Sequence, residues 1–133
     1  MNSNNYIRKI DELGRIVIPK EIRNKLKIQD NENILLKIDN EKLVISKYSY
    51  LNNYTSFINE ICNALTEIYR INIEIKDREK ILFSNIKTET NIQKEDIIKD
   101  SIIIGSIKIE NANDKNLIKF LSRIITLYIS NCC

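Results

Sequence analysis

The sequence predicts an α+β protein of two small modules: a basic, dimeric ββαββ unit over residues 1–50, and an α+β unit over 51–133 whose antiparallel sheet is flanked by helices. Three observations predict it. Apolar residues recur with a period of two up to Lys47, and after Tyr50 the period becomes helical. Positive charge gathers at one end: through Lys27 seven basic residues face three acidic ones, whereas from Leu51 onward eleven face eleven. The first module is also too short to bury much apolar surface alone, and units of that size lean on a metal, disulfides or a partner.

In the first module Tyr6 to Ile10 and Arg15 to Ile18 are β-branched runs on either side of Asp11-Glu12-Leu13-Gly14, which predicts a hairpin. Pro19 is expected at the first position of a helix, with Glu21 in the first turn where its charge meets the helix dipole favourably. On that helix Ile22 and Leu26 share an apolar face, and Lys20, Arg23 and Lys27 share a basic one. A second hairpin follows, Ile34 to Ile38 and Leu43 to Ser46 around Asp39-Asn40-Glu41-Lys42.

In the second module Leu51, Tyr54, Ile58, Ile61, Leu65 and Ile68 form one stripe of a helix of about five turns. That stripe leaves packing on the module's own core and packing on a partner subunit both open. Ile71, Ile73 and Ile75 predict a strand, Asp77-Arg78-Glu79 a turn, and Lys80 to Ser84 a second strand. Residues 86–99 read as a loop with one helical turn near Asp96 to Lys99. Ser101 to Ile104 and Ile107 to Glu110 read as a hairpin turning at Gly105-Ser106. Asp114 is placed to cap a last helix carrying Leu117, Leu121, Ile124 and Tyr128 on one face.

Composition removes several classes of function. There is no histidine, no Cys-x-x-Cys pair and only two glycines, so the usual zinc sets, histidine-based catalysis and phosphate-binding glycine loops are missing. No enzyme, cofactor or metal is expected. Cys62 reads as a small core residue, and Cys132 and Cys133, adjacent at the end, cannot easily bridge each other. The polar Met1 to Asn5 start and the lack of a long apolar run predict a cytoplasmic protein. With metal and disulfide set aside, a dimer is the physical expectation. A symmetric dimer suits duplex DNA, whose half-sites mirror a two-fold axis.

The basic residues carry the matching chemistry. Arginine offers a planar fork of donors for phosphate or for the O6/N7 edge of guanine, and lysine a compact charge. Arg8 and Arg15 sit on the two arms of the first hairpin, and Arg23 adds a third fork from the helix.

The stretch from Ile7 to Arg23 combines Asp-Glu-Leu-Gly-Arg, Ile-Val-Ile-Pro and Glu-Ile-Arg. It resembles the signature of the AbrB/SpoVT family of transition-state and sporulation regulators, and the likeness continues less strictly to Ser49. The resemblance implies a swapped-hairpin fold, in which two chains interleave their hairpins and arginines contact deformable, A/T-rich promoter DNA. By position it implies DNA contacts at Arg8, Arg15 and Arg23 and a phosphate contact at Lys9, with Lys20 beside them on the helix. Asn24 stands where the family commonly has another arginine, and Asn4-Asn5 where it has Thr-Gly. One charge fewer per subunit is expected to weaken binding and flatten its salt dependence, while Asn24 keeps the capacity to bond a base or a phosphate.

The second module holds the place of the small-molecule-sensing GAF domain in SpoVT-type members, in abbreviated form. Its expected roles are oligomerisation first, giving dimers or tetramers, and sensing of a small-molecule ligand second. The alternative to a regulator that binds promoter DNA is a MazE-like antitoxin, which shares the swapped-hairpin fold but wraps a toxin partner with its C-terminal segment. Such tails tend to be acidic and unordered alone, whereas Leu51 to Cys133 is charge-balanced and periodic.

Overall fold

A computed structural model of the chain describes residues 5–78, 80–111 and 114–131. Expectations for the polar start, for Glu79 in the turn and for Cys132 and Cys133 fall outside these residues. The described part is a mixed α/β structure with two antiparallel sheets, one of two strands and one of four.

The first module contains one short helix, α1 (Lys20–Lys25), and one hairpin, β1 (Ile34–Asp39) with β2 (Lys42–Lys47). Pro19 is the residue before the helix rather than its first residue: its ψ of 146° is extended, and its carbonyl accepts the N–H groups of Ile22 and Arg23. The helix ends one turn later in a Schellman arrangement. Lys27 adopts a φ of 57°, its N–H donates to the Asn24 carbonyl, and the Ile28 N–H donates to that of Arg23. Lys27 therefore lies beyond the helix and does not extend its basic face. In the second hairpin β1 and β2 pair from Ile34 with Lys47 to Asp39 with Lys42, around Asn40 and Glu41.

The predicted first pair of strands is not regular sheet in the single chain. Residues 6–10 and 15–18 carry no strand assignment, and of the expected hairpin only the turn is closed. These runs are bare within one chain, Ile7 being 93% exposed and Val17 72%, and so is the paired hairpin of β1 and β2, where Ile38 is 81% exposed.

The second module has its own core. A 3₁₀ turn (Asn52–Tyr54) leads into α2 (Thr55–Tyr69), which stops at Arg70 in the left-handed region. Four strands follow, β3 (Asn72–Asp77), β4 (Ile81–Ser84), β5 (Gln93–Lys99) and β6 (Ile102–Glu110), then α3 (Lys115–Asn131). The antiparallel sheet runs β4-β3-β6-β5. Ile73 and Ile75 of β3, Ile97 of β5 and Ile107 and Ile109 of β6 face the helices, where Ile58, Cys62 and Leu65 of α2 and Ile118, Leu121, Ile125 and Ile129 of α3 close the core. Phe57 and Tyr128 stack at 3.6 Å between the two helices. Burial of Cys62 pushes its thiol pKa up to about 12, as suits a small core residue.

Several sequence expectations change here. Ile68, expected on the buried stripe, is exposed, whereas Cys62 is buried in the core as expected. On α3 the buried face passes through Ile118, Leu121, Ile125 and Ile129, so Leu121 is shared with the expected stripe while Ile124 and Tyr128 lie outside the buried set. Asp114 does cap α3, accepting the Asn116 N–H at 2.8 Å. Residues 93–99 form a strand, not a loop with a helical turn, because they pair along the whole outer edge of β6. The hairpin turn falls at Asp100 and Ser101, whose φ values of 52° and 66° fit a primed two-residue turn.

Gly105 is accordingly inside one unbroken strand, where close approach requires it. A Cβ there would lie 2.5 Å from the Lys76 carbonyl oxygen and 2.6 Å from Leu51 Cδ1. Because a backbone oxygen cannot step aside, Gly105→Ala is expected to destabilise the chain by about 1–3 kcal/mol. Urea unfolding followed by circular dichroism measures the shift in midpoint.

On the edge strand, two hydroxyls of α3 take carbonyls of β5: Ser122 donates to Asp96 at 3.0 Å and Thr126 to Ile98 at 3.3 Å. At the other end of β6, Glu110 is buried and accepts bonds from Thr88 Oγ1, Asn72 Nδ2 and the N–H groups of Lys87 and Thr88. The Thr88 hydroxyl above all, with the amide donors behind it, overcomes the opposing effect of burial and lowers the Glu110 pKa from 4.5 to about 2. A carboxylate whose folded pKa is depressed stabilises the fold above its unfolded value and loses that contribution as pH falls through the interval down to about 2. Glu110→Gln is therefore expected to flatten the loss of stability between pH 4.5 and 2, read from urea midpoints of both proteins across that range.

Candidate nucleic-acid interface

The turn of the first hairpin is built on Asp11. Its Oδ1 accepts the N–H groups of Leu13 at 2.9 Å and Arg15 at 2.8 Å, and its Oδ2 accepts Arg15 Nε at 2.7 Å. The backbone closes beneath, with Asp11 N–H donating to the Arg15 carbonyl and Gly14 N–H to that of Asp11. Gly14 supplies the φ of 78° that the turn needs. These donors, the Arg15 N–H foremost, hold the Asp11 carboxyl below the usual range and keep it charged. Among the described residues only Nε of Arg15 is engaged, and its side chain is 72% exposed, which leaves the donors of its terminal nitrogens available.

The remaining predicted residues differ in how firmly they are held. Arg8 donates from Nη1 to the Ile7 carbonyl at 2.9 Å and lies 6.0 Å from the Tyr6 ring centroid. Lys9 and Lys20 are exposed. Arg23 is half-buried and donates from Nε to the Ile18 carbonyl at 3.1 Å, which ties α1 to the arm before it. Asn24 is exposed on α1, one residue further. Arg8, Lys9 and Arg15 thus belong to one hairpin end, and Lys20, Arg23 and Asn24 to the helix that follows. Among the described residues no cluster of acidic, histidine or cysteine side chains could hold a metal ion, and no helix is long and apolar enough to cross a membrane.

A contact not foreseen from the sequence joins this module to the second. Arg78 pairs with Glu32 in a buried ion pair, donates to the Tyr48 carbonyl at 2.7 Å and lies over the Tyr50 ring. Gln29 bonds both backbone groups of Ile103, its amide donating at 2.9 Å and its oxygen accepting at 3.1 Å. The segment just after α1 is thereby fixed to the sheet of the second module. Glu32→Ala would leave the Arg78 charge buried without its carboxylate, and is expected to cost about 3 kcal/mol or more. Thermal unfolding of the full chain measures that loss.

Residues 7–52 match the family described as "Antidote-toxin recognition MazE, bacterial antitoxin". The chain is homologous to three regulatory and sporulation proteins of Bacillus subtilis (strain 168). It is 34% identical over 80 residues to "Stage V sporulation protein T", covering 59% of this chain and 45% of that one. It is 44% identical over 48 residues to "Transition state regulatory protein AbrB", 36% of this chain and 50% of that one, and again 44% over 48 residues to "Putative transition state regulator Abh", covering 36% and 52%. The chain spans about half the length of these curated relatives. An alignment of 80 residues cannot fit inside the first module, so the relation to stage V sporulation protein T reaches the second. Among solved structures, the solution structure of the N-domain of the transcription factor abrB matches with 44% identity and a TM-score of 0.33, over 36% of this chain and 92% of that one.

Proposed function

We propose that the protein is a DNA-binding transcriptional regulator that works as an interleaved homodimer through its first module. The observation that carries this reading is the pairing of a preformed arginine-bearing turn with apolar strands that a single chain leaves bare. Tyr6 to Ile18, β1 and β2 have the composition of buried sheet and the exposure of an unassembled half. A second copy supplying the same elements would cover both. An apolar groove of about 550 Å³ between Ile7, Val17, Ile22, Leu43 and Ile45 offers the surface for that exchange.

In such a dimer Arg8, Lys9 and Arg15 from each chain present basic groups at the hairpin ends, with Lys20, Arg23 and Asn24 beside them. Arg15 and Arg8 supply forks for base edges or phosphates, and the lysines supply phosphate contacts. Arg23 acts partly by positioning, since its Nε already holds the Ile18 carbonyl. The second module, an antiparallel sheet covered by helices on one face, is read as a GAF-like unit that assembles subunits or senses a ligand. A toxin-wrapping role fits less well: residues 51–133 fold around a core of their own instead of an extended segment. Fluorescence anisotropy of the full chain with labelled A/T-rich duplex, titrated across salt, tests the reading. Affinity that falls steeply with salt is the expected result, and absence of binding at low salt would refute it.

A further inference from the structure

We propose that the cleft between the two modules binds a compact, phosphate-bearing small molecule through Lys27, Lys76, Lys94 and Ser106. The cleft has a volume of about 490 Å³, in the range of small-molecule sites. Its floor is the face of the sheet turned away from the helices. There Lys76 of β3 and Asp96 of β5 both stand opposite Ser106 of β6, and Lys94 is the next residue of β5 on the same face. Strands lie about 4.8 Å apart, so Lys76 and Lys94 flank Ser106 from the two sides of β6 and their long side chains can converge above it. Its wall is the segment after α1, with Lys27 and with Gln29 locked to Ile103.

Charge makes this place unlike the rest of the sheet. One step along β6, Lys108 is shared by Glu74 and Glu89 at 3.8 and 3.7 Å. In the cleft the balance reverses. Lys27, Lys76 and Lys94 have no ion-pair partner among the described residues, although Asp96 follows Lys94 on the same face of β5. Arg78 is already neutralised by Glu32, and Asp77 is held by the Ser49 hydroxyl and the Lys80 N–H. Gathering unpaired ammonium groups around a concave surface is unfavourable until an anion of several charges enters. A lysine matches such an anion as a point charge, and Ser106 adds a hydroxyl donor.

Because Lys27 belongs to the first module and Lys76 and Lys94 to the second, occupancy would tighten the junction already formed by Glu32 and Arg78. Neither the site nor this tightening rests on the reading of the first module as DNA-binding; only an effect of occupancy on DNA affinity would.

The test is isothermal titration of the full chain with inorganic pyrophosphate and, separately, with ATP, in low salt without magnesium. One site per chain is expected for at least one probe. Lys76→Gln combined with Lys94→Gln should weaken it at least tenfold, Lys76→Arg should retain it, and Asp96→Asn should strengthen it. Thermal unfolding of each variant identifies any that fails to fold, and the exposed Asp96 keeps a variant of opposite sign available. Absence of binding of either probe at millimolar concentration overturns the proposal, as does unchanged affinity in the folded double variant. Loss of probe binding on Arg8→Ala with Arg15→Ala, instead of on the lysine changes, places the anion on the hairpin and also overturns it. If the lysine variants lose duplex DNA while keeping pyrophosphate, the cleft serves nucleic acid and the proposal fails. A chain that binds pyrophosphate as expected but no DNA refutes the regulator reading alone.

Discussion

Arg15→Ala is expected to weaken DNA binding at least thirtyfold while leaving the oligomer intact. A specific contact from an arginine fork contributes about 1–3 kcal/mol, and a two-fold dimer loses it twice. Two losses at the lower end of that range already amount to about 2 kcal/mol, or roughly thirtyfold. The turn itself should survive, since Asp11 Oδ1 still accepts the N–H groups of residues 13 and 15 after the side chain is removed. Anisotropy titrations of the full-length variant against the parent protein read the loss, and sedimentation velocity reads the oligomer. Normal DNA affinity in a folded, oligomeric variant would remove Arg15 from the interface.

Val17→Asp should have an effect of comparable size by another route. Val17 is exposed in one chain yet lines the groove with Ile7 and Leu43 that a second copy is proposed to fill. A carboxylate buried there without a partner costs several kcal/mol, and symmetry imposes it twice. The expected result is at least a hundredfold weaker association of the first module and loss of DNA binding, with the second module still folded around Leu51, Ile58 and Ile125. Sedimentation velocity, duplex titration and far-ultraviolet circular dichroism of the full chain measure the three. Undiminished duplex binding by this variant would contradict the interleaved dimer.

The elements most legible in the sequence were those whose residue types serve one physical purpose. Asp11 and Gly14 announced a turn because one accepts local N–H bonds and the other tolerates positive φ. Strand β5 was hidden for the opposite reason: Gln93 to Asp96 are all polar, and only pairing with β6 makes them a strand. Gly105 suggested a turn because glycine serves turns and close approaches alike, and the nearby Lys76 carbonyl that decides between them lies 29 residues earlier. The phase of α3 was ambiguous because Ile and Leu occupy a wide arc of it, so alternative stripes fit the same spacing.

The arginines and lysines proposed for the interface were chosen from the sequence, but how the structure holds each of them was not legible there. That Arg23 is partly spent on Ile18 while Arg15 is oriented by Asp11 depends on where the arms run. The pair Glu32 and Arg78 left no local trace, since its members are 46 residues apart and each looks like ordinary surface charge. Glu110 was invisible likewise, its donors Thr88 and Asn72 being far along the chain.

The hydroxyls of Ser122 and Thr126 also give the four-stranded sheet a direction in which it can grow. A strand seeking to add beyond β5 finds two of the outward carbonyls already occupied and a helix in the way, whereas β4, four residues long with Ile81 exposed, borders solvent. Any misassembly by strand addition should start from β4. Replacing both hydroxyls with alanine would free those two carbonyls while α3 still stands over β5, so β4 would remain the open border.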